Sequence, residues 1–234
     1  MIDWHSHILP GVDDGSREIS ESLRLVQLQK EQGAELIVAT PHFYANDESV
    51  EQFLDRRQKA YELLLSQLPE GSPQVVLGAE VRYYQGISRM PELKKLCIQG
   101  TRVLLLEMPM CRWTEFMLRE LLELSSMGSI RIMLAHIERY LPMQRDEVWT
   151  QLLERGVLMQ VNASLFQSIA TRRKGIALFR KGCIHAIGSD CHNTTSRPPR
   201  LQGAMDYIQK KLGADLLRQM DAFGHDLLKP ARDA

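Results

Sequence analysis

The chain lacks the marks of the extreme protein classes. Among its 234 residues are only four cysteines (Cys97, Cys111, Cys183 and Cys191), irregularly spaced. That excludes a disulfide scaffold and points to a reduced, cytoplasmic protein. Neither sign of charge prevails: Lys+Arg is 29 and Asp+Glu is 29. A broad nucleic-acid or anionic-membrane surface is therefore excluded, though a small basic pocket is not. No apolar run reaches the roughly 18–20 residues of a membrane span. The N-terminus has neither the basic patch nor the apolar stretch of a signal peptide. Internal repeats, low-complexity tracts and dividing linkers are absent too. What is present is ordinary globular usage, 44% hydrophobic and 25% charged. The length suits one domain over residues 1–234 with a large core of its own.

Short apolar runs alternate with amphipathic segments. The runs cover residues 1–5, 35–40, 74–80, 102–107, 131–136, 157–162 and 185–190, giving seven predicted strands. Several are near-continuous in Val, Ile and Leu, as buried parallel strands are. Helical periodicity covers 18–32, 50–68, 114–127, 145–155 and 169–181, and one or two further helices lie in 201–228. Gly33, Gly71, Gly128, Gly156 and Gly182 follow the first five as terminators. Repeated strand–helix units predict an α/β barrel, with chemistry at the C-terminal strand ends.

Polar residues gather at those ends. His5 and His7 close the first run, His42 follows the second, Glu80 ends the third and Glu107 the fourth. His136 ends the fifth, and Asp190 and His192 end the seventh. Only His185 and His225, of seven histidines, fall elsewhere. Alone, each would read as a loop or core residue. Together with Asp14 they put four carboxylates and five imidazoles at one mouth, an arrangement too costly without cations. A multinuclear metal centre is the joint explanation, with imidazole suiting Zn, Fe or Mn and carboxylate suiting harder ions.

The spelling of these motifs resembles the PHP (polymerase and histidinol phosphatase) domain. The match starts at Asp3-x-His5-x-His7-Ile8-Leu9-Pro10-Gly11-x-Asp13-Asp14-Gly15 and continues through Thr40-Pro41-His42, Gly78-Ala79-Glu80 and Glu107-Met108-Pro109. It ends with Ala135-His136-Ile137-Glu138-Arg139-Tyr140 and Ser189-Asp190-Cys191-His192-Asn193. The chain looks most like the bacterial PHP-type tyrosine phosphatases of capsule and exopolysaccharide loci. The resemblance implies a distorted seven-stranded (β/α)7 barrel, TIM-barrel-like, holding three divalent metal ions. Manganese is the expected metal, with Fe, Co or Zn as alternatives. It further implies that His5, His7, Glu80 and Asp190 hold one metal, that Glu80, Glu107 and His136 hold a second, and that Asp14, His42 and His192 hold the third. Asp13 is the fallback for Asp14. Arg139 and Arg197 are implied substrate-phosphate ligands, their guanidinium forks matching phosphoryl oxygens.

The implied reaction is hydrolysis of phosphotyrosine by a metal-bound hydroxide, metals bringing the pKa of water from about 15.7 toward 7. Asp190 and His192 join the two arginines as catalytic residues, and Asp or His at the third metal would supply a proton. The implied partner is a phosphotyrosine protein, the tail of a bacterial tyrosine autokinase. A small-molecule phosphatase such as histidinol-phosphate phosphatase is the alternative, ahead of a nuclease or a non-catalytic phosphotyrosine-binding module. One rival sits in the same sequence: Cys191 to Arg197 is formally C-x5-R, the signature of cysteine-dependent tyrosine phosphatases. The segment has no glycine, and Pro198-Pro199 follow at once. Such a segment is ill suited to the backbone phosphate cradle that thiolate chemistry needs.

Overall fold

A computed structural model describes residues 1–230. Among these residues nine short strands are interspersed with seven helices. The strands are β1 Ile2–Ser6, β2 Leu36–Ala39, β3 His42–Phe43, β4 Gln74–Leu77, β5 Glu80–Arg82, β6 Val103–Glu107, β7 Arg131–Leu134, β8 Leu158–Asn162 and β9 Ala186–Gly188. The helices are α1 Ile19–Glu31, α2 Val50–Gln67, α3 Glu115–Ser126, α4 Asp146–Glu154, α5 Ile169–Arg180, α6 Leu201–Leu212 and α7 Ala214–Leu227. Four 3₁₀ segments, unexpected from the sequence, fill loops after strand ends.

Helix starts follow local chemistry. Ser49 and Gln52 form a reciprocal capping box at α2, Thr114 caps α3 and Ser168 caps α5. Each side-chain oxygen accepts one of the free N–H groups of a first turn.

All strand pairs are parallel, in the orders β1-β2-β4 and β3-β5-β6-β7-β8-β9. The predicted strand at 35–40 holds β2 alone, with β3 a separate short strand just beyond it, and that at 74–80 divides into β4 and the start of β5. Pro41 lies in the gap between β2 and β3 and has no N–H to give the ladder. Hydrogen bonding to the neighbouring strand nonetheless runs through the gap, Gly78 N donating to Ala39 O at 2.8 Å and Glu80 N to Pro41 O at 3.0 Å. At the other edge, Asp190 N donates to His5 O at 2.7 Å and Ser6 pairs with Cys191.

The sheet curls. Val38, Leu105, Met133 and Leu158 share one buried cluster although β2 and β7 are not sheet neighbours, and Phe223 and Leu227 of α7 pack against it. A larger cluster joins the opposite strand faces (Ile37, Leu104, Leu106, Leu134, Val161) to the helices. This is a half-barrel of six strands with helices outside.

Gly188 shows how tightly β9 lies against β1. A Cβ there would come 2.4 Å from His5 Cβ and 2.9 Å from Gln160 Nε2. We expect Gly188→Ala to destabilise the fold by about 1–3 kcal/mol, the usual cost of overpacking. Urea denaturation measures it, and an unchanged midpoint would show that β1 can yield.

Candidate metal centre

The five histidines at predicted strand ends come together. The ring of His7 lies 3.9 Å from that of His192, 4.5 Å from His42 and 5.1 Å from His5. His136 stacks 5.6 Å from His5. In the ladder His42 pairs with Glu80, so strand register sets these two side by side. The other two histidines stay apart: His185 Nδ1 accepts from Met159 N, and His225 is exposed beside Asp221.

Glu80, 1% exposed, is the hub. Its Oε2 lies 3.1 Å from His5 Nε2, 3.3 Å from His7 Nε2 and 3.0 Å from His42 Nδ1, and its Oε1 is 2.8 Å from His136 Nε2. Burial works against charge on Glu80, but His5, His136 and His42 outweigh it and hold its carboxyl well below the usual range. His7 is likewise opposed by burial, yet Asp13 and Glu80 hold it up at about 10. His192 goes the other way, pushed down to about 4 by burial, His7 and Arg197.

The outer nitrogens explain how the rings are aimed. His5 Nδ1 faces Gln160 Oε1 at 3.3 Å, His7 Nδ1 faces Asp13 Oδ2 at 2.7 Å and His192 Nδ1 faces the Asp190 carbonyl at 3.1 Å. With Nδ1–H donated outward, each Nε2, once a divalent ion displaces the extra proton that His7 would otherwise hold, turns a lone pair toward the cluster, the arrangement that outer carboxylates and carbonyls impose on metal-ligating histidine. His5 Nε2 and His7 Nε2 are only 3.0 Å apart. His42 Nδ1 and His192 Nε2 are buried without any hydrogen bond; both are near carboxylate oxygens but out of line. Lone pairs facing carboxylates repel unless a proton or cation lies between them, so this donor set fits divalent cations.

Within the cluster three groups of donor atoms are close enough to share an ion: His7, Asp14, His42 and His192; His5, His7 and Asp190; and His42, Glu80 and Glu107, while a fourth such group among the described residues, Glu35, Asp221 and His225, includes none of them. His7 and His42 thus stand in two groups each. His136 reaches Glu80 at 2.8 Å and Glu107 at 3.7 Å. Asp14, 66% exposed, lies on the open side, 3.4 Å from His42 Nε2 and 3.3 Å from His192 Nε2. Asp13 stands behind. Its oxygens accept from Gly15 N, His42 N and His7. Gly15 has to be glycine, since a Cβ would come 2.3 Å from His7 O.

Arg139 and Arg197 reach the same place by way of Asp190. Arg139 Nη2 hydrogen-bonds Asp190 Oδ2, and Arg197 Nη2 donates to Oδ1 at 2.8 Å. The two arginines, both part-exposed, line a cavity of about 240 Å³ beside the cluster. The sequence reading missed Gln160 and Asn162. Gln160 Oε1 accepts from His136 N at 2.7 Å, its Nε2 donates to Asn162 Oδ1, and Asn162 Nδ2 donates to Asp190 Oδ2. Two polar residues at period 2 in a buried strand were the available signal. His136 (φ 33°) and Asp190 (φ 51°) are the non-glycine residues with positive φ among those described. Such strain concentrates at working sites.

Cys191 is unsuited to C-x5-R chemistry. It is fully buried, its Sγ accepts from Gln29 Nε2, and burial, reinforced by Asp3 and Asp190, pushes its thiol pKa up. All four cysteines are free. A second, apolar cavity of about 250 Å³ lies at the N-terminal ends of β1 and β9, away from the cluster.

Fold and site together define a class: a curled parallel α/β sheet with a buried histidine–carboxylate cluster, arginines beside it, at the C-terminal strand ends. The chain belongs to the CpsB/CapC family of capsular polysaccharide synthesis, whose profile matches residues 1–223. It is 29% identical over 236 residues to the tyrosine-protein phosphatase CpsB of Streptococcus pneumoniae, covering 94% of each chain. It is 27% identical over 226 residues to the tyrosine-protein phosphatase YwqE of Bacillus subtilis, covering 92% of this chain and 87% of YwqE. A solved structure among those of YwqE and CpsB, described as unique metal-dependent tyrosine phosphatases, superposes with a TM-score of 0.81 over all of both chains. At 24% identity that likeness establishes the shared fold.

Thiol chemistry tests the burial of Cys191. In native protein, iodoacetamide should alkylate exposed Cys111 first and leave Cys97 and Cys191 unmodified until unfolding, read by peptide mass mapping. Modification of Cys191 as fast as Cys111 would reopen the thiolate mechanism.

Proposed function

We propose that this chain is a metal-dependent protein-tyrosine phosphatase. The observation that carries the proposal is the convergence of the Nε2 atoms of His5 and His7, both Nδ1 atoms already engaged, on buried Glu80 and Asp190. In this reading His5, His7, Glu80 and Asp190 hold one ion, Glu80, Glu107 and His136 a second, and Asp14, His42 and His192 a third, with His7 and His42 near enough to be shared. Manganese is our expectation among Mn, Fe, Co and Zn. The nine strands count as seven staves of a distorted PHP barrel, β2 with β3 and β4 with β5 being single staves bent at Pro41 and Gly78. We read residues 1–234 as one domain, with this barrel made by the described residues 1–230.

Bound divalent cations would supply an activated water and a Lewis-acidic grip on the phosphoryl oxygens. The chain's own residues do the rest. Asp13, Gln160 and the Asp190 carbonyl hold the imidazole tautomers. Arg139 and Arg197, whose donors now meet on Asp190, capture and orient the phosphate dianion. A tyrosinate leaving group has a conjugate-acid pKa near 10, so its protonation is a modest demand. Asp14, on the open side, is the group placed to relay that proton from solvent. The phosphoprotein we infer is the tail of a bacterial tyrosine autokinase of capsule or exopolysaccharide synthesis, in keeping with the family's description. Four free thiols suit a cytoplasmic, reducing setting.

Chelation should abolish hydrolysis of a phosphotyrosine peptide, and Mn²⁺, Fe²⁺ or Co²⁺ should restore it. Full activity of protein shown metal-free by elemental analysis would refute the mechanism. Faster turnover of histidinol phosphate than of the peptide would favour the small-molecule alternative.

Ligands and phosphate contacts should separate. His136→Ala is expected to lose metal and rate together. Arg197→Ala should keep its metal but lose about 10–150-fold in kcat/KM, the equivalent of roughly 1.5–3 kcal/mol for a charge-assisted contact. Arg139→Ala should behave alike, and the double variant should be non-additive if both forks grip one phosphoryl group. Unchanged kinetics in both single variants would remove the arginines from the site.

A further inference from the structure

We propose that a basic groove running away from the cluster binds acidic residues flanking the substrate's phosphotyrosine; the inference rests on the phosphatase reading above. The groove begins in the 240 Å³ cavity, where Arg139 and Arg197 are followed by Gln167 and Arg200. Gln167 and Arg200 also line a second cavity of about 710 Å³, which continues to Arg172, Tyr207 and Lys210. The two cavities thus adjoin at the Gln167–Arg200 pair, so that cationic side chains continue past the pair of arginines beside the cluster.

Local structure explains the placement. β8 ends at Asn162, at the mouth, and the 3₁₀ turn Ala163–Phe166 leads from it to Ser168, the cap of α5. α6 packs on the same turn. Helix α5 carries Arg172, Arg173, Lys174 and Arg180 and no acidic residue. On α6, Tyr207 and Lys210 share one helical face, being three residues apart. In a chain with no net charge, this is a local concentration of cations.

These cations are not spent internally. Among the described residues, Arg172, Arg200 and Lys210 make no ion pair. Arg172 sits 4.7 Å over the Tyr207 ring, so its guanidinium is held in place, and its buried Nε has no hydrogen-bond partner. Arg200 Nη1 donates only to the neutral Gln167 Oε1, at 2.6 Å. Asp206 is the acidic residue lining the far part, and it too is unpaired among the described residues. Guanidinium and ammonium donors set along an open path suit successive carboxylates of an extended peptide.

The test compares phosphotyrosine peptides of equal length whose neighbouring residues are Glu and Asp or Gln and Asn. Wild-type protein should prefer the acidic peptide about tenfold in kcat/KM, chiefly through KM, as two or three part-exposed charge contacts allow. In the double variant Arg172→Gln, Lys210→Gln the preference should fall below about twofold, with turnover of free phosphotyrosine unchanged. No preference in wild type, the same preference in the variant, or an equal loss on free phosphotyrosine would each overturn the groove. Fluorescence anisotropy with an unphosphorylated acidic peptide reads the groove without turnover, and the variant should bind it several-fold more weakly. Peptide binding without hydrolysis of any phosphotyrosine substrate would sink the phosphatase reading and leave the groove standing. Preferential binding of a single-stranded oligonucleotide of matched charge would overturn the peptide assignment.

Discussion

Keeping buried Glu80 ionised is the constraint on which the rest of the structure depends. An isolated buried carboxylate carries a penalty of several kcal/mol, and loss of a partner from a buried charge network typically costs about 3–5 kcal/mol. Glu80 meets that penalty with four imidazoles from three separate parts of the chain: His5 and His7 at β1, His42 at β3 and His136 after β7. Only a curled parallel sheet brings those ends to one point, because every strand then delivers its C-terminus to the same side. The α/β alternation is in this sense a device for convergence: helices outside hold the strands parallel, and the mouth receives whatever follows each apolar run.

Convergence alone would leave ten ring nitrogens free to choose their partners. The outer hydrogen bonds remove much of that choice. Asp13 fixes His7, Gln160 faces His5 and the Asp190 carbonyl holds His192. Gln160 also takes the backbone N–H of His136, so one amide ties two strand ends together. From it the chain of bonds runs through Asn162 to Asp190, and from Asp190 to Arg139 and Arg197. The metal candidates and the phosphate candidates are therefore one mechanical unit. Two members, His136 and Asp190, adopt left-handed backbone at a conformational cost, which the surrounding network must offset.

How much of this was legible follows from what kind of signal each feature leaves. The strand ends were legible because apolar runs stop at His5, Glu80, Glu107 and His136, and helix ends because Gly33, Gly128, Gly156 and Gly182 mark them. The gap between β2 and β3 falls at Pro41, which has no N–H to give, and a pattern of side chains does not record a missing donor. Choosing between Asp13 and Asp14 was beyond spacing, since adjacent residues differ only in which way the loop turns them. The structure sends Asp14 to the open side and Asp13 to the back of His7. Gln160 and Asn162 were hidden by lying within a predicted strand, where a polar residue reads as the strand's end. That Arg139 and Arg197 meet on Asp190 could not be read at all, because pairing across 51 and 7 residues leaves no local trace.

Net charge deceives in a related way. Equal counts of acids and bases exclude a molecule coated in one sign, but they say nothing about where each sign sits. In this chain the buried acids Glu80 and Asp190 face imidazoles and arginines inside the mouth, while Arg172, Arg200 and Lys210 lie outside it without acidic partners among the described residues. Burying carboxylates within a sum of zero leaves bases in excess on the accessible surface, and α5 gathers four of them on one helix. An anion approaching the mouth from that side meets positive charge before it meets the cluster, and a cleft lined by one sign of charge focuses the field more than a flat surface does. A protein neutral in composition can therefore be strongly selective for acidic partners along one path and indifferent to them elsewhere.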